Sequence, residues 1–391
     1  MIHPPTSPAS TPAKNVGLYI HFPWCHRKCP YCDFNSHQRP ADLPEDDYVS
    51  ALLWDLDQTL ERIERPRIET IFMGGGTPSL FSPGSIERLL NGIQQRLDVD
   101  PKAEITLEAN PGTVDNDRFS GYHAAGINRL SLGIQSFQDR HLNALGRIHS
   151  GREAIDAAVA AHKAGFREIN LDLMFALPDQ SLEDALSDIQ CALEIGPSHL
   201  SYYHLTLEPN TYFYKYPPAI PDAENAYAIQ EAGQSALARA GYTQYEVSAY
   251  ALKGSECRHN SNYWQFGDYL GIGAGAHGKW TDPATHSIQR TTRIRHPVHY
   301  LEGFKSGQRR LETHTVQTDE VPFEFLMNAL RLKKGFVVNH FESGTGQSID
   351  TLEPHLSHLI AEGLLIREAD QIRCTERGFN ILDSVLQAFL P

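Results

Sequence analysis

The chain has 391 residues, of which 41% are hydrophobic and 21% charged, with a formal net charge of −14 and a pI near 5.7. A chain of this length is expected to bury a full core and to divide into a large and a smaller domain. Its acidic balance argues against a broad nucleic-acid-binding face, and no apolar run reaches the roughly 18 residues of a membrane span.

In chain order, residues 1–15, MIHPPTSPASTPAKN, hold no apolar signal region and read as a disordered, Pro-rich leader. The expected compartment is therefore the reducing cytoplasm, where clustered cysteines bind metal more often than they pair. From Val16 the apolar runs VGLYIHF, TIFMGG, EITLEA, RLSLGI, EINLDLMF and HLSYYHL alternate with amphipathic stretches such as SIERLLNGIQQRL (85–97) and SLEDALSDIQCALEIG (181–196). Short, near-continuous apolar strands between helices predict a parallel sheet of βαβ units. Six units predict an incomplete (β/α)6 barrel of the TIM type over residues 16–240. A Pro-rich break, KYPPAIPDAEN (215–225), precedes the helix that ends this region near Ala240. Residues 241–320 read as a connecting segment, with THSIQRTTRIRHPVHY (285–300) as irregular connection. Residues 321–391 offer helix, helix, a hairpin from LIREAD and QIRCT, and a closing helix. This predicts a winged-helix-like α+β domain that suits packing or a partner better than DNA.

Ligands of parallel α/β sheets bind beyond the carboxyl ends of the strands, and the unusual residues fall there repeatedly. Cys25, Cys29 and Cys32 follow the first strand, Gly74-Gly75-Gly76-Thr77 the second, and Glu108 with Asn110 the third; Gln135 ends the fourth, Asp172 lies on the fifth, and Tyr203 and His204 end the sixth. Their succession in chain order predicts one site. The C-x3-C-x2-C loop suits zinc if His26 or His37 completes the set, or a four-iron cluster with one iron open to a small molecule. The glycine loop is no phosphate-binding motif. It reads either as a plain tight turn or as a backbone that offers N–H groups to a carboxylate. Glu108, Gln135, Arg147 and Asp172 supply what a zwitterionic ligand with ribose hydroxyls requires.

Y-x5-C-x3-C-x2-C followed by GGGT resembles the radical S-adenosylmethionine (SAM) superfamily. LEANPG, SLGIQSF, LGRIH and NLDLMFALP narrow the resemblance to the branch containing oxygen-independent coproporphyrinogen III dehydrogenase, over about residues 16 to 391. The resemblance implies that Cys25, Cys29 and Cys32 ligate a [4Fe-4S] cluster whose fourth iron takes the amino and carboxylate groups of SAM. Tyr19, Gly75, Gly76, Thr77, Glu108, Gln135, Arg147 and Asp172 fall on cofactor-binding positions, and Tyr203 and His277 on positions lining the site. An electron from the reduced cluster would cleave the sulfonium and release a 5′-deoxyadenosyl radical. The dehydrogenases carry a further Cys two residues after the third ligand, where this chain has Phe34, and a long N-terminal arm, in place of which it has only the leader. Both departures are shared with the HemW heme chaperones, as are CPYCDFNSH, LPDQSLEDAL and GAHGK.

HNSNYW (259–264) resembles that family's heme-associated HNxxYW motif. An imidazole of His259 can ligate iron while Tyr263 and Trp264 offer flat faces to a porphyrin; the alternative is a capped turn with core aromatics, and Cys257 is a rival ligand. The resemblance therefore implies a heme chaperone that binds heme, a cluster and SAM and delivers heme to a respiratory-chain apo-protein. It also implies an electron donor for the cluster and leaves room for a homodimer. Membrane contact would come through the acceptor alone. The rival expectation is oxidative decarboxylation of coproporphyrinogen III.

Overall fold

The computed structural model describes residues 15–113, 116–308 and 311–390, so residues 1–14 of the leader lie outside the described residues. The six expected strands are present: β1 (Asn15–Phe22), β2 (Arg67–Gly75), β3 (Asp98–Ala109), β4 (Arg129–Gln135), β5 (Glu168–Phe175) and β6 (His199–His204). Each pairs in parallel with the next. The helices between them start where the sequence can cap them. Ser82 accepts from Ser85 N–H, and Ser150 with Glu153 and Ser181 with Asp184 form reciprocal capping boxes. Their buried faces carry Leu89, Ile93, Ala154, Ala158, Ala161 and Ile189, which close over the outside of the sheet.

The sheet does not stop at six strands. Tyr269–Ile272 pairs in parallel with the outer side of β1, and His277–Thr281, Ile288–Arg293 and Leu311–Thr315 continue it as an antiparallel meander. At the far edge, Ala249–Ala251 and Thr243–Gln244 pair antiparallel beyond β6, which makes twelve strands in all. The reading of 285–300 as irregular is therefore corrected. IQRTTR is a strand whose middle is only partly buried, so its polarity reflects one solvated face and not the lack of structure. Asp55 on the first helix fixes this extension: it pairs with buried Arg293 at 3.1 Å and accepts from Tyr300 OH at 3.0 Å.

Helix Arg258–Trp264 packs against the lower halves of β1 and β2. Glu104, low on β3, accepts from the N–H of Arg258 at 3.0 Å and of His259 at 2.9 Å, so a carboxylate holds the positive end of this helix.

The C-terminal part has its own core, built on Phe325, Phe336, Phe341, Leu352, Leu356 and Ile372. A three-stranded sheet of Phe336–Val337, Gln371–Cys374 and Leu365–Glu368 is flanked by helices Val321–Ala329, Val338–Thr345, His355–Ala361 and two short closing helices. The stretch from Ser348 to Leu364 is broken into a 3-10 turn and a helix at Pro354, which cannot sit inside a helix.

Candidate functional site

The carboxyl ends of β1 to β6 surround a cavity of about 330 Å³. Cys25, Cys29, Cys32, Gly75, Gly76, Thr77, Glu108, Gln135, Arg147, Asp172 and Tyr203 all line it. All six cysteines are free thiols, and those of the loop are half-buried at the cavity wall.

The cysteine loop is held from outside. Asn35 Nδ2 donates to the carbonyls of Ala274 and Arg295, both at 2.9 Å, and Lys28 Nζ donates to those of Phe34 and Ser36. His21 on β1 lies 2.8 Å from Asn35 O through Nε2 and 3.0 Å from Tyr19 OH through Nδ1. Burial pushes His21 down to about 4, so this bolt stays neutral.

The N–H groups of the glycine loop meet partners within the protein, one of them a carboxylate. Gly76 N and Thr77 N donate to the carbonyls of Phe22 and Trp24, each at 2.7 Å, and Gly75 N donates to Glu108 at 3.0 Å. These donors are spent in tying the loop to β1 and β3. What the glycines supply is close approach. At Gly75, with φ +110°, a Cβ would lie 2.3 Å from the His21 ring; at Gly76 it would lie 2.5 Å from Trp24 O.

Beside the cysteines, Arg147 donates to Asn110 Oδ1 at 2.7 Å and to Gly133 O at 2.6 Å, and its other terminal nitrogen is 3.7 Å from Cys29 Sγ. Its Nε is buried without a partner among the described residues. Tyr203 OH donates to Gln135 at 2.7 Å. Gln135 holds a left-handed φ of 72° at a register shift in β4, a strained conformation of the kind that clusters at working sites. Asp172 accepts from Ser131 at 3.1 Å and Asn170 at 2.8 Å. Burial raises both carboxyls: Asp172 is shifted upward, and Glu108 is pushed up to about 8, by burial first and then by the Asp172 charge. Burial outweighs the Arg147 charge at Asp172, so a cationic ligand beside these carboxyls would favour their charged forms.

Three expected site residues lie elsewhere. Tyr19 sits below the cavity, stacked on Phe72 at 6.3 Å. His277 is exposed at a strand start, 3.2 Å from Thr292 Oγ1, because the glycine-rich GAGAHG segment is a tight turn against Asn35. His259 is 0% exposed, with Nδ1 2.7 Å from Thr70 Oγ1 and Nε2 2.7 Å from Tyr263 OH. Both of its ring nitrogens are engaged in the barrel's lower layer, which leaves none for iron in this geometry. The rival Cys257 is buried beside Glu104, and burial pushes its thiol up to about 12.

Similarity to known proteins is extensive. The Radical SAM superfamily profile matches residues 19–192, and that of the HemN C-terminal domain matches 316–381. The chain is 50% identical to the heme chaperone HemW of Escherichia coli K12 over 96% of this chain and 98% of that one. The chain belongs to the HemW heme chaperone family. It is also 48% identical to HemW of Haemophilus influenzae over 96% and 98% of the two chains. Its fold matches that of coproporphyrinogen III oxidase (HemN) from E. coli, a radical SAM enzyme, at a TM-score of 0.82 and 19% identity over 97% and 90% of the chains.

The residues at the cavity fit the cofactors that the superfamily implies. Among the described residues, no three His, Cys, Asp or Glu side chains gather around a single ion position. Three thiols spread around one cavity suit a cluster, in which each takes its own iron, better than tetrahedral zinc. The unpartnered Arg147 Nε and the upshifted Glu108 suit a ligand with both carboxylate and cationic groups. Sequence reasoning missed Tyr31, Ser131 and Met174 in the lining, and it left His204 without a role. Tyr31 stands between two of the cysteines, a position that could have flagged it; the other omissions had no local signal.

Proposed function

We propose that this protein is a heme-delivery chaperone that holds a [4Fe-4S] cluster on Cys25, Cys29 and Cys32 and SAM against Gly75, Gly76, Thr77, Glu108, Gln135, Arg147 and Asp172. The observation that carries the reading is the convergence of three free thiols and a buried polar set on one cavity, in a chain half identical to HemW of E. coli. When bound, the cluster supplies an electron to the sulfonium. The chain's own residues orient and shield. Arg147, fixed by Asn110 and Gly133, faces the cofactor's carboxylate. Glu108 and Asp172 face its cationic and hydroxyl groups, and Tyr203 holds Gln135 in its strained turn. Delivery would run to a respiratory-chain apo-protein, with an electron donor reducing the cluster. Among the described residues, no helix is long and apolar enough to cross a membrane, so contact with a membrane acceptor would come through that acceptor.

Phe34, 61% exposed on the cavity rim, stands where the coproporphyrinogen dehydrogenases carry a further cysteine, and it argues against the decarboxylase alternative. The test is anaerobic. The cluster is reconstituted, heme is loaded, and transfer to an apo-cytochrome is followed beside an assay for coproporphyrinogen III turnover. Transfer without turnover supports the chaperone; turnover without transfer overturns it.

A further inference from the structure

The cavity has one histidine in its lining, His204, at the end of β6. It differs from the other histidines near the barrel. His21, His199 and His259 each have both ring nitrogens within hydrogen-bond distance of a partner. The His149 Nε2 is 3.1 Å from Ile134 O, and that side chain is buried. His204 is exposed toward the cavity, and no hydrogen bond among the described residues holds either of its nitrogens. Its ring packs 5.3 Å from that of Phe175, which fixes the side chain without occupying its nitrogens.

The rim around His204 suits a flat apolar ligand. Phe34 and Met174 line the same space, and Phe34 presents a large apolar surface to water, a feature that marks a binding surface when it rims a cavity. Helix Tyr212–Lys215 packs beside the cysteine loop. Phe213 N donates to Pro30 O in the cysteine loop at 3.0 Å, while Tyr212 remains exposed. Arg27 also lines the cavity and is exposed; the other lining guanidinium, Arg147, is already committed to Asn110 and Gly133. At about 330 Å³, the interior is near the lower limit for a small-molecule pocket. With a cluster and SAM bound inside it, a macrocycle would lie across the mouth.

Resting on the chaperone reading, we propose that heme is received across the mouth of this cavity, with His204 as axial ligand to its iron, Phe34 against the porphyrin face and Arg27 toward a propionate. The seat places the cargo over the cofactor site and makes it the lid that excludes water from the cluster. It also accounts for a phenylalanine that is exposed on the cavity rim.

The test uses the full chain with its cluster reconstituted, titrated anaerobically with ferric heme and followed by the Soret band and by EPR of the heme iron. His204→Ala is expected to raise the dissociation constant at least tenfold and to abolish the histidine-ligated signature, and free imidazole restores it. Phe34→Ala weakens binding several-fold with the signature intact. His204 is exposed, so retained cluster absorbance and melting temperature show that its variant is folded. A His204→Ala protein with wild-type affinity and spectra overturns this assignment and leaves the chaperone reading standing. Absence of heme binding by the wild-type chain removes both.

Discussion

Glu108 sets a proton count that can be measured. In the empty site its carboxyl is pushed up to about 8, by burial and then by the Asp172 charge, with the Gly75 N–H pulling the other way. At pH 7 such a group is about nine-tenths protonated. A cationic ligand beside it favours the charged form, so binding of SAM should release about 0.9 proton from Glu108 at pH 7 and about 0.1 at pH 9. Ionising it at pH 7 costs about 1.4 kcal/mol, so its contribution to affinity grows roughly tenfold between pH 7 and 9. The amino group of SAM, with an ordinary pKa of about 7.7 to 8.0, would shed a proton of its own on binding; a Glu108→Gln protein retains that release and loses the other. Titration calorimetry of SAM into cluster-loaded protein, in two buffers of different ionisation enthalpy, counts the protons. The difference between wild type and variant should be about 0.9 at pH 7, and the variant should bind roughly 10- to 100-fold more weakly, since a hydrogen bond to a charged group contributes about 1.5 to 3 kcal/mol. Equal proton counts at pH 7 would refute the reasoning, because Glu108 would then not change its charge on binding. The same shift has a sign for stability. The native carboxyl keeps a proton that the unfolded chain sheds, so the empty protein loses stability as pH rises from about 4.5 through about 8.

Replacing Cys25, Cys29 or Cys32 with Ser should leave the fold and melting temperature nearly unchanged while bound iron and sulfide fall below about a tenth of wild type; heme transfer should fall with them, and full transfer by these variants would detach the cluster from function. Asn35→Ala removes two hydrogen bonds that tie the cysteine loop to Ala274 and Arg295. It should cost about 1 to 3 kcal/mol, the sum of two ordinary hydrogen bonds to one part-buried and one exposed carbonyl, and urea unfolding with cluster yield measures both consequences. His259 is pushed down to about 3 by burial. The unfolded chain then takes up a proton the native state refuses, so its contribution is complete above pH 6.5 and is lost as pH falls toward 3. Between pH 7 and 5 the loss is about 2 kcal/mol. A His259→Gln protein should show a shallower acid limb in urea unfolding, and an identical limb would contradict a neutral, buried His259.

What the sequence made legible depended on how local the determining interactions are. The six strands of the barrel could be read because each is a continuous apolar run bounded by turn residues. Their succession also made the cavity legible, since a parallel sheet delivers its strand ends to one place whatever the packing details. IQRTTR escaped because an edge meander buries too little to leave an apolar signature. The HNSNYW helix shows what sequence does not carry: its residues have distant partners in this structure. Glu104 anchors the helix from 155 positions away and Thr70 takes the His259 ring from 189; no window of sequence contains that pairing. The same distance hides the converse case. His204 follows an ordinary apolar strand and carries no motif, yet the geometry that consumes the nitrogens of His259 leaves those of His204 open to the cavity. A histidine's chemistry is set by what reaches its nitrogens, and that is decided by tertiary contacts rather than by the residues beside it in the chain. In this fold the motif histidine fills the floor of the barrel, and the histidine marked only as a strand end faces the cavity.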